Sequence, residues 1–329
     1  MKKGGMSFLL VIGMAFFFSC TMLGNCEAAA PKQITLQLGH EFPDNHPYHL
    51  GAVKFAEVLA QKTNNEIVVQ IFPNGTLGKQ AQLIDALAMG TMDFSLTNTI
   101  VLEPLESQVS VLSLPYVMRD WDHLFKVVDG EIGEELNRML EKKGVTVLAY
   151  FKVGEVIINS TKLIKTPDDV SGMKLRVMPG PSMVEVGRVL NAIVTPTAYG
   201  EVYTALQLGT IDAQLQSISN AYFGKHQEVA KYMVRSNLSL FLEPLSMSMR
   251  TYNRLTPDQR KACKEAAYEA ALMQRVMMTQ TEQDIIGLLL KEGITITNGD
   301  IDQWRARIEP IYAKFPNWLP LIEKVRAVK

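Results

Sequence analysis

The chain has 329 residues and is nearly neutral, with 33 Lys and Arg against 34 Asp and Glu. No strongly basic stripe accompanies that balance, which argues against nucleic acid as a partner. Three cysteines are too few for a disulfide framework, so stability must come from an apolar core, and roughly 300 residues are more than one ordinary domain needs.

The first 30 residues read as an export signal: Lys2-Lys3, then a mostly apolar run from Ser7 to Thr21 that is too short for a comfortable membrane span. Cleavage is expected after Ala28, giving a signal segment over 1–28 that takes Cys20 and Cys26 with it. A lipid anchor is disfavoured, because bulky Phe17-Phe18 precede Ser19-Cys20 and Asn25 precedes Cys26. No later run is apolar for long enough to cross a bilayer, so a periplasmic chain with Cys263 alone is expected.

Ile34-Thr35-Leu36-Gln37-Leu38 alternates as a strand, followed by a His/Pro/Asn-rich loop over 40–47 and a helix over 48–62. A second strand over 67–72 ends at the turn signal Pro73-Asn74-Gly75. Helix, turn and strand follow over 83–96. The apolar stretch 111–115 reads as a short buried crossing, 121–143 as one helix stopped by Gly144, and 145–151 as a strand. Val156-Ile157-Ile158 opens a second half. There, Thr166-Pro167-Asp168-Asp169 starts a helical turn, 173–177 is a strand, and helices over 182–190 and 199–208 flank Ala192-Ile193-Val194. The apolar run 238–249 reads as a strand crossing back. Thr256-Pro257-Asp258 caps a helix reaching about Lys291, long enough at roughly 50 Å to underlie two lobes. Two shorter helices close the chain.

Two stretches repeat each other. LIDALAMGTMDFSL (83–96) and VYTALQLGTIDAQL (202–215) share Ala86/Ala205, Leu87/Leu206, Gly90/Gly209, Thr91/Thr210, Asp93/Asp212 and Leu96/Leu215. Each fits the end of an amphipathic helix, a left-handed glycine and a tight turn into a strand. Two copies imply two α/β lobes and a cleft, with ligand beyond the strand ends at Thr97-Asn98 and Gln216-Ser217.

Signatures of hydrolases, zinc peptidases, redox dithiols and nucleotide sites are missing from the sequence. His40, His46 and His49, with Glu41 and Asp44, could ligate zinc, although a polar loop before a helix collects such residues without metal. A secreted enzyme using Glu41 or Glu155 as general base is the other alternative. Arg176 ends the strand over 173–177 before Pro179-Gly180-Pro181, where a guanidinium facing a cleft can hold a carboxylate through two parallel hydrogen bonds.

The run Gly172-Met173-Lys174-Leu175-Arg176-Val177-Met178-Pro179 and the run from Pro196-Thr197-Ala198-Tyr199-Gly200-Glu201 to Gly209-Thr210-Ile211-Asp212 resemble the solute-binding proteins of tripartite ATP-independent periplasmic (TRAP) transporters. The likeness extends from Leu38-Gly39-His40 through Phe72-Pro73-Asn74-Gly75 to the long C-terminal helix. It implies a two-lobed α/β periplasmic binding fold with hinge strands and a helix spanning both lobes. Lobe I would comprise 29–152 with 242–281, and lobe II 153–241 with 282–329. It further implies capture of a small organic acid without enzymatic turnover or cofactor, and delivery to a sodium-coupled TRAP permease. By the same likeness Arg176 holds the ligand carboxylate, and Gln216 helps it in place of the usual Asn. Tyr199 lines the pocket, and Glu41, Thr97 and Asn98 lie near the ligand. Glu155 stands where many relatives carry a second arginine. A cleft carboxylate there would disfavour dicarboxylates and favour monocarboxylates bearing hydroxyl, amino or aromatic groups.

Overall fold

The computed structural model describes residues 33–329. The expected signal segment 1–28, its cleavage point, Cys20 and Cys26 lie outside them.

Strand β1 (Ile34–Gly39) pairs in parallel with β2 (Ile67–Phe72) through the crossover helix α1 (Pro47–Lys62). Helix α2 (Gln80–Met89) leads to β3 (Phe94–Leu96) on the other side of β1. Helices α3 (Trp121–Val128) and α4 (Glu131–Glu141) follow, then the long strand β4 (Val145–Ser160). The second half repeats the scheme with β5 (Lys174–Val177), α5 (Pro181–Val189), β6 (Ile193–Pro196), α6 (Val202–Gln207), β7 (Ala213–Ser217) and α7 (Ile218–Phe223). Strand β8 (Tyr232–Ser248) crosses back to α8 (Met249–Arg254) and α9 (Pro257–Lys291), and β9 (Thr295–Asn298), α10 (Ile301–Ile308) and α11 (Leu319–Ala327) complete the chain.

The strands form one sheet in the order β2-β1-β3-β8-β4-β7-β5-β6, with β9 beside β8. Its middle is the β4–β8 ladder, antiparallel from Val145 opposite Ser248 to Ser160 opposite Tyr232. One end of that ladder receives β3 and the other receives β7. Two α/β lobes therefore hang on the same pair of hinge strands. The pairing register slips on either side of Gly154. Gly154 has φ 133, and a Cβ there would lie 2.2 Å from Oε1 of Glu282, so this bend requires glycine.

Helix α9 begins where the sequence placed it, with Thr256 accepting from the Gln259 N–H at 3.2 Å and Pro257 in the first turn. Its buried face is built of small residues (Ala262, Cys263, Ala266, Ala267, Ala270 and Ala271), which lets it lie close against α1. Farther along, Ile285 and Leu289 pack with Ile218 and Met233 of the second lobe. Between these regions the Gln274 amide accepts from the Lys152 N–H at 2.8 Å and donates to the Lys152 carbonyl at 2.9 Å, pinning the hinge strand to the helix.

Several expectations are corrected. The helix expected over 121–143 breaks at Asp129-Gly130, because both Asp129 oxygens are held by Arg275 at 2.6 and 2.9 Å and Gly130 favours a new helix start. The crossing at 111–115 is buried but belongs to a 3-10 turn over Ser107–Ser113. The two strands read at 145–151 and 156–158 are one strand, and β9 was not anticipated. The tail after 282 does not belong wholly to the second lobe. Helix α11 returns to the first, where His123 Nε2 meets the Val325 carbonyl at 2.9 Å and Lys324 pairs with Glu135. Short apolar helices at a chain end do not disclose in sequence which lobe they cover.

Candidate ligand-binding site

The repeated turns place the site. Gly90 and Gly209 both adopt left-handed backbone, at φ 74 and 66. Thr91 and Thr210 each bond back to the carbonyl of the equivalent alanine, Ala86 or Ala205, through N–H and hydroxyl alike. Asp93 then accepts from the Gln37 N–H of β1, and Asp212 from the Lys174 N–H of β5, each at 2.9 Å. Each turn thereby fixes its strand to a neighbour, and the ends of β3 and β7 converge on a cavity of about 170 Å3 between the lobes.

The second lobe contributes the positive charge. Arg176, 1% exposed at the end of β5, spends Nε on the Thr197 carbonyl at 2.9 Å and Nη1 on the Leu215 carbonyl at 3.4 Å. The rest of its donors are unspent, and it forms no ion pair among the described residues. Burial lowers its pKa to about 10, with Glu41 pulling the other way, so the guanidinium stays charged at neutral pH. Beside it, the Gln216 side-chain oxygen accepts from the Ser217 N–H at 2.9 Å and from the Asn220 amide at 3.3 Å. That arrangement leaves the Gln216 NH2 for a ligand. Asn220 is held in turn by His46, whose Nε2 lies 3.1 Å from Asn220 Oδ1 while Nδ1 accepts from the Tyr48 N–H at 3.2 Å. Burial drives the His46 pKa down to about 3, so the imidazole is neutral and donates from Nε2. Tyr199 lines the cavity, donates to the Asn220 carbonyl at 3.0 Å and stacks obliquely on Phe42, 5.4 Å between centroids.

The first lobe and the hinge supply acceptors. Glu41 lines the cavity, and burial raises its carboxyl while Gln80, Arg176 and Lys79 act against that. Asn98 uses Oδ1 to cap its own turn at Ile100 (3.1 Å) and its N–H to bond Gln80 Oε1 (2.7 Å). Glu243 enters from hinge strand β8. Further contacts close the lobes on each other. Lys79 pairs with Glu201 at the mouth, and Glu103 accepts from the Ser182 N–H and hydroxyl at the start of α5, at 3.0 and 2.7 Å.

The family model for bacterial extracellular solute-binding protein, family 7, matches residues 38–317. The chain belongs to this family. It is 32% identical over 283 residues to a solute-binding protein of Roseobacter denitrificans, covering 86% of this chain and 87% of that one. It is 29% identical over 296 residues to the 2,3-diketo-L-gulonate-binding periplasmic protein of Escherichia coli K12, covering 90% and 87%. A crystal structure of a TRAP periplasmic solute-binding protein from Roseobacter denitrificans with bound β-D-glucuronate superposes with a TM-score of 0.87 at 30% identity, covering 90% of this chain and all of that one. This family 7 protein is therefore a solute-binding component of a transport system, not an enzyme, and its family is extracytoplasmic. No helix among the described residues is long and apolar enough to cross a membrane.

In this family 7 protein the cavity brings together Arg176, Gln216, Tyr199, Glu41 and Asn98, five of the seven residues expected there. Thr97 is fully buried beside it and does not line it. Glu155 is the substantive correction. Its carboxylate is held by Arg235 (2.8 and 3.1 Å) and by the Asn237 N–H (3.1 Å), in a separate hollow with Tyr116 and Trp121. The register slips around Gly154 reset the alternation of β4, and Glu155, expected in the cleft because it stands where relatives carry a second arginine, turns to Arg235 instead. The carboxyl that does reach the cavity from the hinge, Glu243, was missed. Its signal was a lone carboxylate within the apolar run LSLFLEPLSMSM. Asn220 and Gln80 were missed as well. The histidines do not converge on one point: His40 Nε2 meets His49 Nδ1 at 3.1 Å, whereas His46 turns to Asn220. Among the described residues no three His, Cys, Asp or Glu side chains are grouped to hold a metal.

Proposed function

We propose that this protein captures a small sugar acid, of the uronate or aldonate class, and delivers it to a membrane permease of the TRAP type. The carboxylate would sit on Arg176 and the Gln216 NH2, and the hydroxyls would meet Glu41, Asn98, Gln80 and Glu243. The observation that carries this reading is Arg176 itself: a buried guanidinium with donors to spare and no carboxylate partner, in a cavity whose other cation, Lys79, is engaged with Glu201. One available positive charge suits one carboxylate, and the amides and carboxyls around it suit hydroxyls. The glucuronate in one relative and the diketogulonate named for another support the same class. Ligand touching both lobes would favour the closed arrangement held by Lys79–Glu201 and Glu103–Ser182, and closure would present one surface to the permease.

Calorimetry with D-glucuronate, D-gluconate, succinate and D-glucose tests the proposal. A sugar acid should bind at least about tenfold tighter than succinate, and glucose should not bind measurably. Preference for succinate would overturn the ligand class. Uptake of the labelled acid by cells carrying the cognate permease should stop when the protein is deleted.

A further inference from the structure

Glu243 opens on the ligand cavity from the middle of the molecule, and nothing in the protein satisfies it. It is fully buried, and neither carboxyl oxygen makes a well-formed hydrogen bond. Buried polar groups are otherwise almost always paired, and an orphaned one costs free energy until a partner arrives. Glu155, on the neighbouring hinge strand, shows the alternative: there an arginine and a backbone N–H consume the carboxylate. Arg176 shares the cavity with Glu243 but does not pair with it.

We infer that Glu243 is a specificity-determining residue: it receives the hydroxyl-bearing end of a ligand whose carboxylate sits on Arg176, and once ionised it refuses a second carboxylate at that end. The inference rests on the sugar-acid reading of the cavity. A hydroxyl both donates and accepts, so it satisfies Glu243 whether the carboxyl is protonated or ionised. A ligand carboxylate only accepts, so it needs Glu243 protonated. Once Glu243 ionises, two like charges face each other in a closed cavity, where such a mismatch is costly.

The surroundings favour the neutral form. Burial, then the charge of Glu41, hold the Glu243 carboxyl well above the usual carboxylate range, and a weak approach of the Asn98 amide counters only in part. The tyrosines facing it, Tyr48 of α1 and Tyr199, are pushed up and stay neutral. Glu282 of α9 is paired with Lys152 at 3.0 Å, Lys79 with Glu201, and Arg176 stays charged. Burial keeps His46 and His226 near about 3 and His40 near about 4, so these three remain neutral above about pH 6. Glu243 and Glu41, also raised by burial, are thus the cavity groups expected to change charge as pH rises.

The test compares matched mono- and dicarboxylates, D-glucuronate with D-glucarate and butyrate with succinate, by calorimetry from about pH 6 to about pH 9 on the wild type, Glu243→Gln and Glu41→Gln. The wild type should prefer glucuronate to glucarate by at least about 100-fold at the alkaline end, and its glucarate affinity should fall by up to about tenfold per pH unit. Glu243→Gln keeps the shape and supplies an NH2 to a carboxylate. It should narrow that preference at least about tenfold and flatten the pH slope without lowering the melting temperature. An unchanged ratio in Glu243→Gln, or a slope that disappears in Glu41→Gln instead, overturns the inference. Should Glu243→Gln not fold, the wild type decides alone, since glucarate binding as tightly as glucuronate across the whole range contradicts it. If glucuronate fails to bind while butyrate or succinate binds, the sugar-acid reading falls and the charge limit is read on that second pair. If no acid binds, both fall.

Discussion

The two lobes are built on the same turn and do opposite electrostatic work. In each, a left-handed glycine, a threonine that bonds backwards and an aspartate that grips the adjacent strand deliver a strand end to the cavity. In the second lobe those ends carry Arg176 and Gln216, a charge and an amide with donors unspent. In the first, Asn98 spends its oxygen on its own turn, and Glu41 beside it is pushed toward neutrality. The scaffold sets where side chains converge, and the residues at the strand ends set the sign of what they bind. The hinge repeats the lesson. Glu155 and Glu243 lie on paired strands, yet one is neutralised by Arg235 on an outer face and the other is left bare in the cavity.

This contrast can be broken from the donor side first. Arg176→Ala should cost about 2–5 kcal/mol of binding, roughly 30- to 4000-fold, for any acid ligand while the fold persists. Unchanged affinity in calorimetry would move the carboxylate away from the second lobe. Gln216→Leu keeps the volume but removes the NH2, and should cost about 1.5–3 kcal/mol, the range for a hydrogen bond to a charged group. A loss as large as that of Arg176→Ala would mean that the amide, not the guanidinium, carries recognition. Lys79→Ala removes an exposed ion pair at the mouth and should weaken binding only slightly, with an effect that fades as salt is raised. Glu155→Gln should leave affinity and ligand preference untouched and lower the melting point marginally, through loss of the Arg235 pair. A changed preference there would put Glu155 back among the specificity residues.

Much of this was legible because the decisive signals were local. Gly90 and Gly209, Pro73-Asn74-Gly75, and the cap Thr256-Pro257 are short-range chemistry, and β2, α9 and both repeated turns lie where those residues place them. Arg176 and Gln216 followed from strand ends. What failed depended on long-range geometry. The facing of Glu155 hinges on bulges that only the pairing of β4 with β8 reveals, and Glu243 hid in an apolar run that reads as core strand. Asp129-Gly130 passes for helix interior until Arg275, 146 residues away, takes the aspartate. His46 reads as a metal-loop residue until Asn220, 174 residues away, is seen to accept its proton.

A crystal structure of the protein with D-glucuronate tests the division of labour most directly. The carboxylate should lie about 3 Å from the Arg176 guanidinium and the Gln216 NH2, with ring hydroxyls against Glu41 and Glu243. A carboxylate seated on Lys79 in the first lobe, with hydroxyls turned to Arg176, would contradict the account.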